Sequence, residues 1–269
     1  MTGWDHDTCW YPLRAPIGMR TAPSVAVYFA IDLSSSMNTL APNGQSRLSN
    51  MKSALHAVLD QLGEAVAAGA ALDIMLTGFG DAPDVRQSIV RRHCTVPDIT
   101  DVKAWVSSRV ATYGTYFPAG TMDMPGFYGG APSDAIRLAF FMTDGEPSAP
   151  AASIAQAARA DVDQVANLRC YGINIDLSDT TYTDMVNNVP GTASPVVSGG
   201  DTTALAGLMR AGIFTGLLAM NVAHVSLQQH VHAFAYTPSD PAPADNTITA
   251  TAYTPVFDGI IVDGGHLDG

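Results

Sequence analysis

Charged side chains are scarce in this sequence, and basic ones are scarcer than acidic ones. Only 14% of the 269 residues are charged, and 25 acidic residues against 13 basic ones give a net charge of −12. Such a chain repels nucleic-acid phosphates and anionic bilayers. We therefore expect neither nucleic acid nor an anionic membrane among its partners. The low charged fraction predicts a surface of small polar residues, or one largely covered by partner molecules.

Cysteines and long apolar segments are lacking as well. Cys9, Cys94 and Cys170 are odd in number and widely spaced, which excludes a disulfide framework and a zinc ribbon. The most apolar stretch, residues 211–225, is too short and too interrupted for a transmembrane helix. Residues 1–20 hold no apolar run of the kind found in a signal peptide. We expect a protein made in the cytoplasm, without a signal peptide and without membrane insertion.

Common catalytic motifs are also missing. The sequence holds no phosphate-binding loop, no Gly-x-Ser-x-Gly and no His-Glu-x-x-His. A metal-dependent hydrolase would need a base or an arginine clamp beside its ion, and the sequence indicates neither. The prediction is a protein that is not an enzyme and has no catalytic residues.

Apolar runs of strand length alternate with helical periods through most of the chain. This alternation predicts an α/β fold with a doubly wound, mostly parallel sheet, helices on both faces and one antiparallel edge strand. Two prolines interrupt residues 116–128, so any helix there should be short. The predicted strands are residues 24–31, 72–79, 85–94, 135–142, 169–175 and 195–197. The predicted helices are 46–66, 99–111, 153–168 and 201–220, with a short one over 180–188.

The pattern changes near residue 220, which predicts three segments. Residues 1–22 form an N-terminal extension, residues 23–219 the α/β domain and residues 220–269 a C-terminal β arm. Strand-like alternation over 222–236 and 247–262 flanks a Pro-, Asp- and Ala-rich linker. About fifty residues of this kind cannot build their own core. We expect the arm to pack on the domain or on neighbouring subunits of an oligomer or larger assembly.

Five oxygen-bearing side chains follow or lie near the predicted core strands. They are Asp32, Ser34, Ser36, Thr115 and Asp144. Residues i, i+2 and i+4 of an extended segment point the same way, so the first three could face one point. Oxygen-only ligands favour a hard divalent cation, Mg²⁺ before Mn²⁺ or Ca²⁺. Two carboxylates and three hydroxyls would leave such an ion able to accept a carboxylate from a partner.

These residues resemble the metal-ion-dependent adhesion site of the von Willebrand factor A (vWA) domain family. That site reads Asp-x-Ser-x-Ser, then a threonine, then an aspartate. Asp32-Leu33-Ser34-Ser35-Ser36 matches the first element, and Thr143-Asp144-Gly145 matches the last. The resemblance covers roughly residues 23–219 and implies a Rossmann-like fold. It also implies a divalent-cation-dependent module that binds an exposed Asp or Glu of a partner protein.

Two segments compete to supply the threonine. The family places it in Gly-Gly-Thr-Asn or Gly-Gly-Thr-Asp, and neither Gly114-Thr115-Tyr116-Phe117 nor Gly120-Thr121-Met122-Asp123 matches fully. Thr115 is favoured because 29 positions separate it from Asp144, enough for a helix, a loop and a strand. Thr121 remains the alternative.

His230-Val231-His232 puts two imidazoles on one face of a predicted strand. In a symmetric oligomer such pairs could converge and form a second metal site. The pair resembles the His-x-His iron sites of phage tail tips. The alternative function is therefore a structural subunit of a larger assembly, such as a phage tail or virion, that adheres to a host.

Overall fold

A computed structural model describes residues 24–145, 152–176 and 180–213, with two short strands at 256–257 and 260–261. The chain divides into one unit of residues 18–217 and another of residues 1–17 and 218–269. The strands of the first unit are β1 (Val25–Asp32), β2 (Leu72–Phe79), β3 (Gln87–Arg91), β4 (Ile136–Thr143), β5 (Leu168–Ile175) and β6 (Val196–Val197). Its helices are α1 (Arg47–Ala67), α2 (Val96–Ser107), α3 (Phe117–Thr121), α4 (Met124–Gly129), α5 (Ala152–Asp163), α6 (Thr180–Asn188) and α7 (202–213).

The six strands form one sheet in the order β3-β2-β1-β4-β5-β6. All neighbours are parallel except β3, which pairs antiparallel with β2 at the edge. This confirms the predicted fold class. The order reverses between β1 and β4, and in such sheets ligands bind beyond the carboxyl ends of the strands at that reversal. Asp32 and Thr143 are the last residues of these two strands.

Both faces of the sheet are covered, which explains the continuous apolar strands. All eight residues of β1 and of β2 are buried. One face packs against α1, α2 and α7, and the other packs against α3 to α6. Aromatic rings fill both layers: Phe140 stacks between Phe29 and Tyr171 on one face, and Phe141 contacts Phe79 and Phe117 on the other.

Helix ends differ from the prediction at two places. The helix predicted over 99–111 covers Val96–Ser107, because Thr95 and Asp98 form a capping box that begins it earlier. The helix predicted over 153–168 ends at Asp163. The turn that follows places Asn167 at a φ of 59°, so the backbone leaves the helical path before β5 begins.

Little of the second unit is described. Val256–Phe257 and Ile260–Ile261 form a two-stranded antiparallel ladder, β7 and β8, within the strand predicted over 247–262. The predicted strand over 222–236 lies outside the described residues. Within the described part of the chain, no helix is long and apolar enough to cross a membrane.

Candidate functional site

The site begins with Asp32, whose side chain is held at both oxygens. The residue is 0% exposed. Its Oδ1 accepts the backbone N–H of Ser34 at 2.7 Å, and its Oδ2 accepts the hydroxyl of Thr143. The Thr143 hydroxyl in turn accepts the N–H of Gly145 at 2.9 Å. The ends of β1 and β4 are therefore joined through one buried carboxylate.

Ser34 and Ser36 converge by a turn and not by an extended strand. The prediction of an extended segment is wrong, because Ser35–Asn38 form one turn of 3-10 helix. The turn buries Met37 completely, and the N–H of Ser35 donates to the Tyr113 carbonyl at 2.7 Å. Burial of Met37 and the hydrogen bond from Ser35 stabilise this turn, and in it both serine hydroxyls face Asp144.

Three oxygens form a small triangle beyond the carboxyl ends of β1 and β4. Ser36 Oγ lies 2.7 Å from Asp144 Oδ1 and 2.8 Å from Ser34 Oγ, and Ser34 Oγ lies 3.4 Å from Asp144 Oδ1. Ligands at neighbouring vertices of a Mg²⁺ octahedron, with metal–oxygen bonds near 2.1 Å, lie about 3 Å apart. The three contacts are hydrogen bonds, and their lengths are close to the spacing of neighbouring Mg²⁺ ligands. The oxygen-only donor set therefore fits a hard divalent cation.

The segment that carries Thr115 is joined to the same loop. Residues 34 and 113 form a parallel bridge, and Tyr116 N–H donates to the Gly80 carbonyl at 2.8 Å. Thr115 itself is 2% exposed. Thr121 is engaged elsewhere, because its hydroxyl donates to Asp161 of α5 at 2.7 Å. These contacts favour Thr115 over Thr121, and its role as a ligand stays a prediction.

Sequence comparisons find no relative for this chain: no family model and no curated protein matches it. Solved structures do resemble its fold. The pilus adhesin SpaC from Lactobacillus rhamnosus GG superimposes with a TM-score of 0.60 at 12% identity, over 74% of this chain and 31% of the adhesin. The vWF domain of the type V pili tip protein Mfa5 from Porphyromonas gingivalis gives 0.59 at 10% identity, over 73% and 97% of the two chains.

A von Willebrand factor type A structure from Catenulispora acidiphila superimposes with a TM-score of 0.53 at 18% identity, over 71% of this chain and 42% of the other. This chain has the vWA fold. The chain spans only 31% of the length of SpaC and 42% of the length of the Catenulispora protein. The likeness to these proteins therefore concerns the fold of one domain.

The domain holds two carboxylates, Asp32 and Asp144, close together beyond the carboxyl ends of β1 and β4. Burial, and next the charge of Asp144, raise the pKa of Asp32 from 3.8 to about 7, while hydrogen bonds from Thr143 and Ser34 lower it. The metal-free site therefore resists full ionisation. A divalent cation would add positive charge beside Asp32 and so favour its ionised form.

This raised pKa predicts how pH affects the metal-free protein. An acid whose folded pKa exceeds its unfolded pKa binds its proton more tightly when folded. The free energy of unfolding should therefore fall as the pH rises from 3.8 to about 7, by about 1.4 kcal/mol per pH unit. Urea unfolding in EDTA across this window would measure the slope. Asp32→Asn should lack the Asp32 contribution to this pH dependence. An equal slope in the variant would show that other groups cause the pH dependence.

The sequence analysis did not indicate two charged residues beside the candidate site. Arg47, the first residue of α1, donates to Asp144 Oδ2 at 3.0 Å and to Asp176 Oδ2 at 2.9 Å. Asp176 directly follows β5 and so lies at the same end of the sheet as Asp144. Its position after a predicted strand could have revealed it. The contact of Arg47 depends on tertiary packing, so no local pattern indicates it.

The remaining predicted sites stay untested. His230 and His232 lie outside the described residues. Among the described residues, no group of three or more His, Cys, Asp or Glu side chains could hold a metal. A cation at the end of β1 and β4 would therefore depend on the serine hydroxyls.

Proposed function

We propose that this vWA domain is a divalent-cation-dependent adhesion module. Mg²⁺, Mn²⁺ or Ca²⁺ would be held by Asp32, Ser34, Ser36 and Asp144, with Thr115 as a further ligand. The observation that carries the proposal is the convergence of the Ser34, Ser36 and Asp144 oxygens, which lie within 3.4 Å of one another. An ion held by few carboxylates remains a strong Lewis acid and can take a carboxylate from a protein partner.

The comparisons support an adhesive, non-enzymatic role without showing the ligand. SpaC is a pilus adhesin and Mfa5 a pili tip protein by name. The alternative of a phage tail or virion subunit has no support among these structures and remains a hypothesis. A second metal site at His230 and His232, and packing of the C-terminal arm on neighbouring subunits, likewise remain hypotheses.

A surface coated with polyglutamate tests the capture of carboxylates. The chain is itself acidic, so without metal it should not adhere to this surface. We expect retention in Mg²⁺, reversal by EDTA and little retention on polyglutamine. Retention that is equal in EDTA and in Mg²⁺ would contradict the proposal.

A pair of neighbouring serines supplies the matched variants. Ser36→Ala removes one proposed ligand without changing the charge, and we expect it to weaken Mg²⁺ binding about tenfold, equal to about 1.4 kcal/mol. Ser35→Ala changes an exposed serine one residue away and should bind as the wild type does. Calorimetric titration of EDTA-stripped protein measures both. Equal affinity in the two variants would remove Ser36 from the site.

A further inference from the structure

Arg47 and the two serines contact different oxygens of the Asp144 carboxylate. The hydroxyls of Ser34 and Ser36 face Oδ1, whereas Arg47 Nη1 donates to Oδ2 at 3.0 Å. The Asp144 side chain is 0% exposed and that of Arg47 is 19% exposed. A guanidinium stays protonated at any relevant pH. The aspartate that faces the candidate metal position therefore already carries a cation on its other side.

Three separate segments of the chain fix the position of the Arg47 side chain. Its Nε donates to Asp176 Oδ2 at 2.9 Å, and Asp176 Oδ1 accepts the N–H of Gly199 at 2.8 Å. Asp176 has a φ of 54°, an unusual value for a residue other than glycine. A Cβ at Gly199 would lie 2.6 Å from Asp176 Oδ2 and 2.8 Å from Arg47 Cγ. The loop after β6 thus leaves space for this ion pair.

We propose that Arg47 is a resident counter-cation that holds Asp144 in the metal-free protein and lowers the affinity of the site for a divalent cation. The inference rests on the proposed function of the site. Two cations that share one carboxylate repel each other, and little water separates them when that carboxylate is buried. Asp176 attracts the same guanidinium and limits its pull on Asp144. Arg47 is therefore a positioning residue that sets the metal concentration at which the site fills.

Charge-changing variants of the full chain test this idea. Calorimetric titration with Mg²⁺ should show about tenfold tighter binding in Arg47→Gln, which removes the charge, than in the wild type. Arg47→Lys keeps the charge but loses the forked contact with both aspartates, so its affinity should lie between those of Arg47→Gln and the wild type. Arg92→Gln breaks a comparable ion pair, Arg92 with Asp73 at 2.8 Å. Asp73 lies at the amino end of β2, at the other end of the sheet from the three oxygens, so this variant should leave the affinity unchanged.

Stability supplies a second readout that does not depend on partner binding. In EDTA, Arg47→Gln should unfold at a lower temperature than the wild type, because Asp144 then stays buried without a counter-ion. Saturating Mg²⁺ should narrow that difference, since the metal takes over the neutralisation. A purely structural role for Arg47 would leave the difference equal in EDTA and in Mg²⁺.

The outcomes separate this inference from the function on which it rests. If the wild type binds Mg²⁺ and folded Arg47→Gln binds it equally or more weakly, the role of Arg47 is overturned and the metal site stands. If only Arg47→Gln binds Mg²⁺, the counter-cation is supported and the wild-type function fails. If neither binds, both proposals are overturned.

Discussion

Replacing Asp32 with alanine is expected to abolish saturable Mg²⁺ binding, a loss of at least about a hundredfold in affinity, or about 2.8 kcal/mol. Asp32 is the carboxylate at the end of β1, and its oxygens are oriented by Ser34 N–H and the Thr143 hydroxyl. Removing it takes away one of the two negative charges that would attract the ion. Retention on polyglutamate in Mg²⁺ should disappear with it.

The same variant should still fold in EDTA. The wild-type protein buries two neighbouring carboxylates, and ionising Asp32 there already costs free energy, as its raised pKa shows. Asp134→Ala is the matched control, because Asp134 is exposed and precedes β4 at the opposite end of the sheet. Circular dichroism establishes folding, and calorimetry measures the metal. Binding by folded Asp32→Ala at wild-type affinity would exclude Asp32 as a ligand.

Replacing Phe140 with alanine is expected to lower the free energy of unfolding by about 3–5 kcal/mol. Phe140 is fully buried on β4, with ring centroids 5.4 Å from Phe29 and 5.3 Å from Tyr171. A Cβ at Gly212 of α7 would lie 2.8 Å from the Phe140 ring, so the helix also packs closely on it. Truncation removes these contacts and leaves a cavity that the rigid sheet cannot close.

Urea unfolding followed by circular dichroism would measure this loss. Phe140→Leu retains part of the volume and should cost less than Phe140→Ala, which keeps the test informative if the alanine variant fails to fold. Val90→Ala changes an exposed residue of the edge strand and should shift stability by less than about 0.5 kcal/mol. Equal stability of the Phe140 and Val90 variants would contradict the close packing of Phe140 against Phe29, Tyr171 and α7.

The sequence by itself determined the class of fold and most of its elements. Strand β2 and helix α6 have the predicted bounds, since apolar runs between turn residues report burial directly. Helix α1, predicted over 46–66, begins at Arg47, and the Ser46 side chain caps it by accepting the N–H of Ser49. Asp32 and Thr143-Asp144 were placed at strand ends because parallel strands expose their carboxyl ends together.

Only the tertiary structure decided how the side chains of the site meet. The serines converge through a 3-10 turn that buries Met37, and an apolar contact of that kind leaves no periodic signal in five residues. The Thr121 hydroxyl donates to Asp161, a partner forty positions away that no local pattern in the sequence indicates.

The ion pairs of Arg47 join α1 to the ends of β4 and β5, 97 and 129 positions along the chain. Charges interact through space and not along the sequence, so such partners are known only after the sheet has brought its strands together. Sequence therefore indicated which oxygens could hold a cation, and packing placed an arginine beside them.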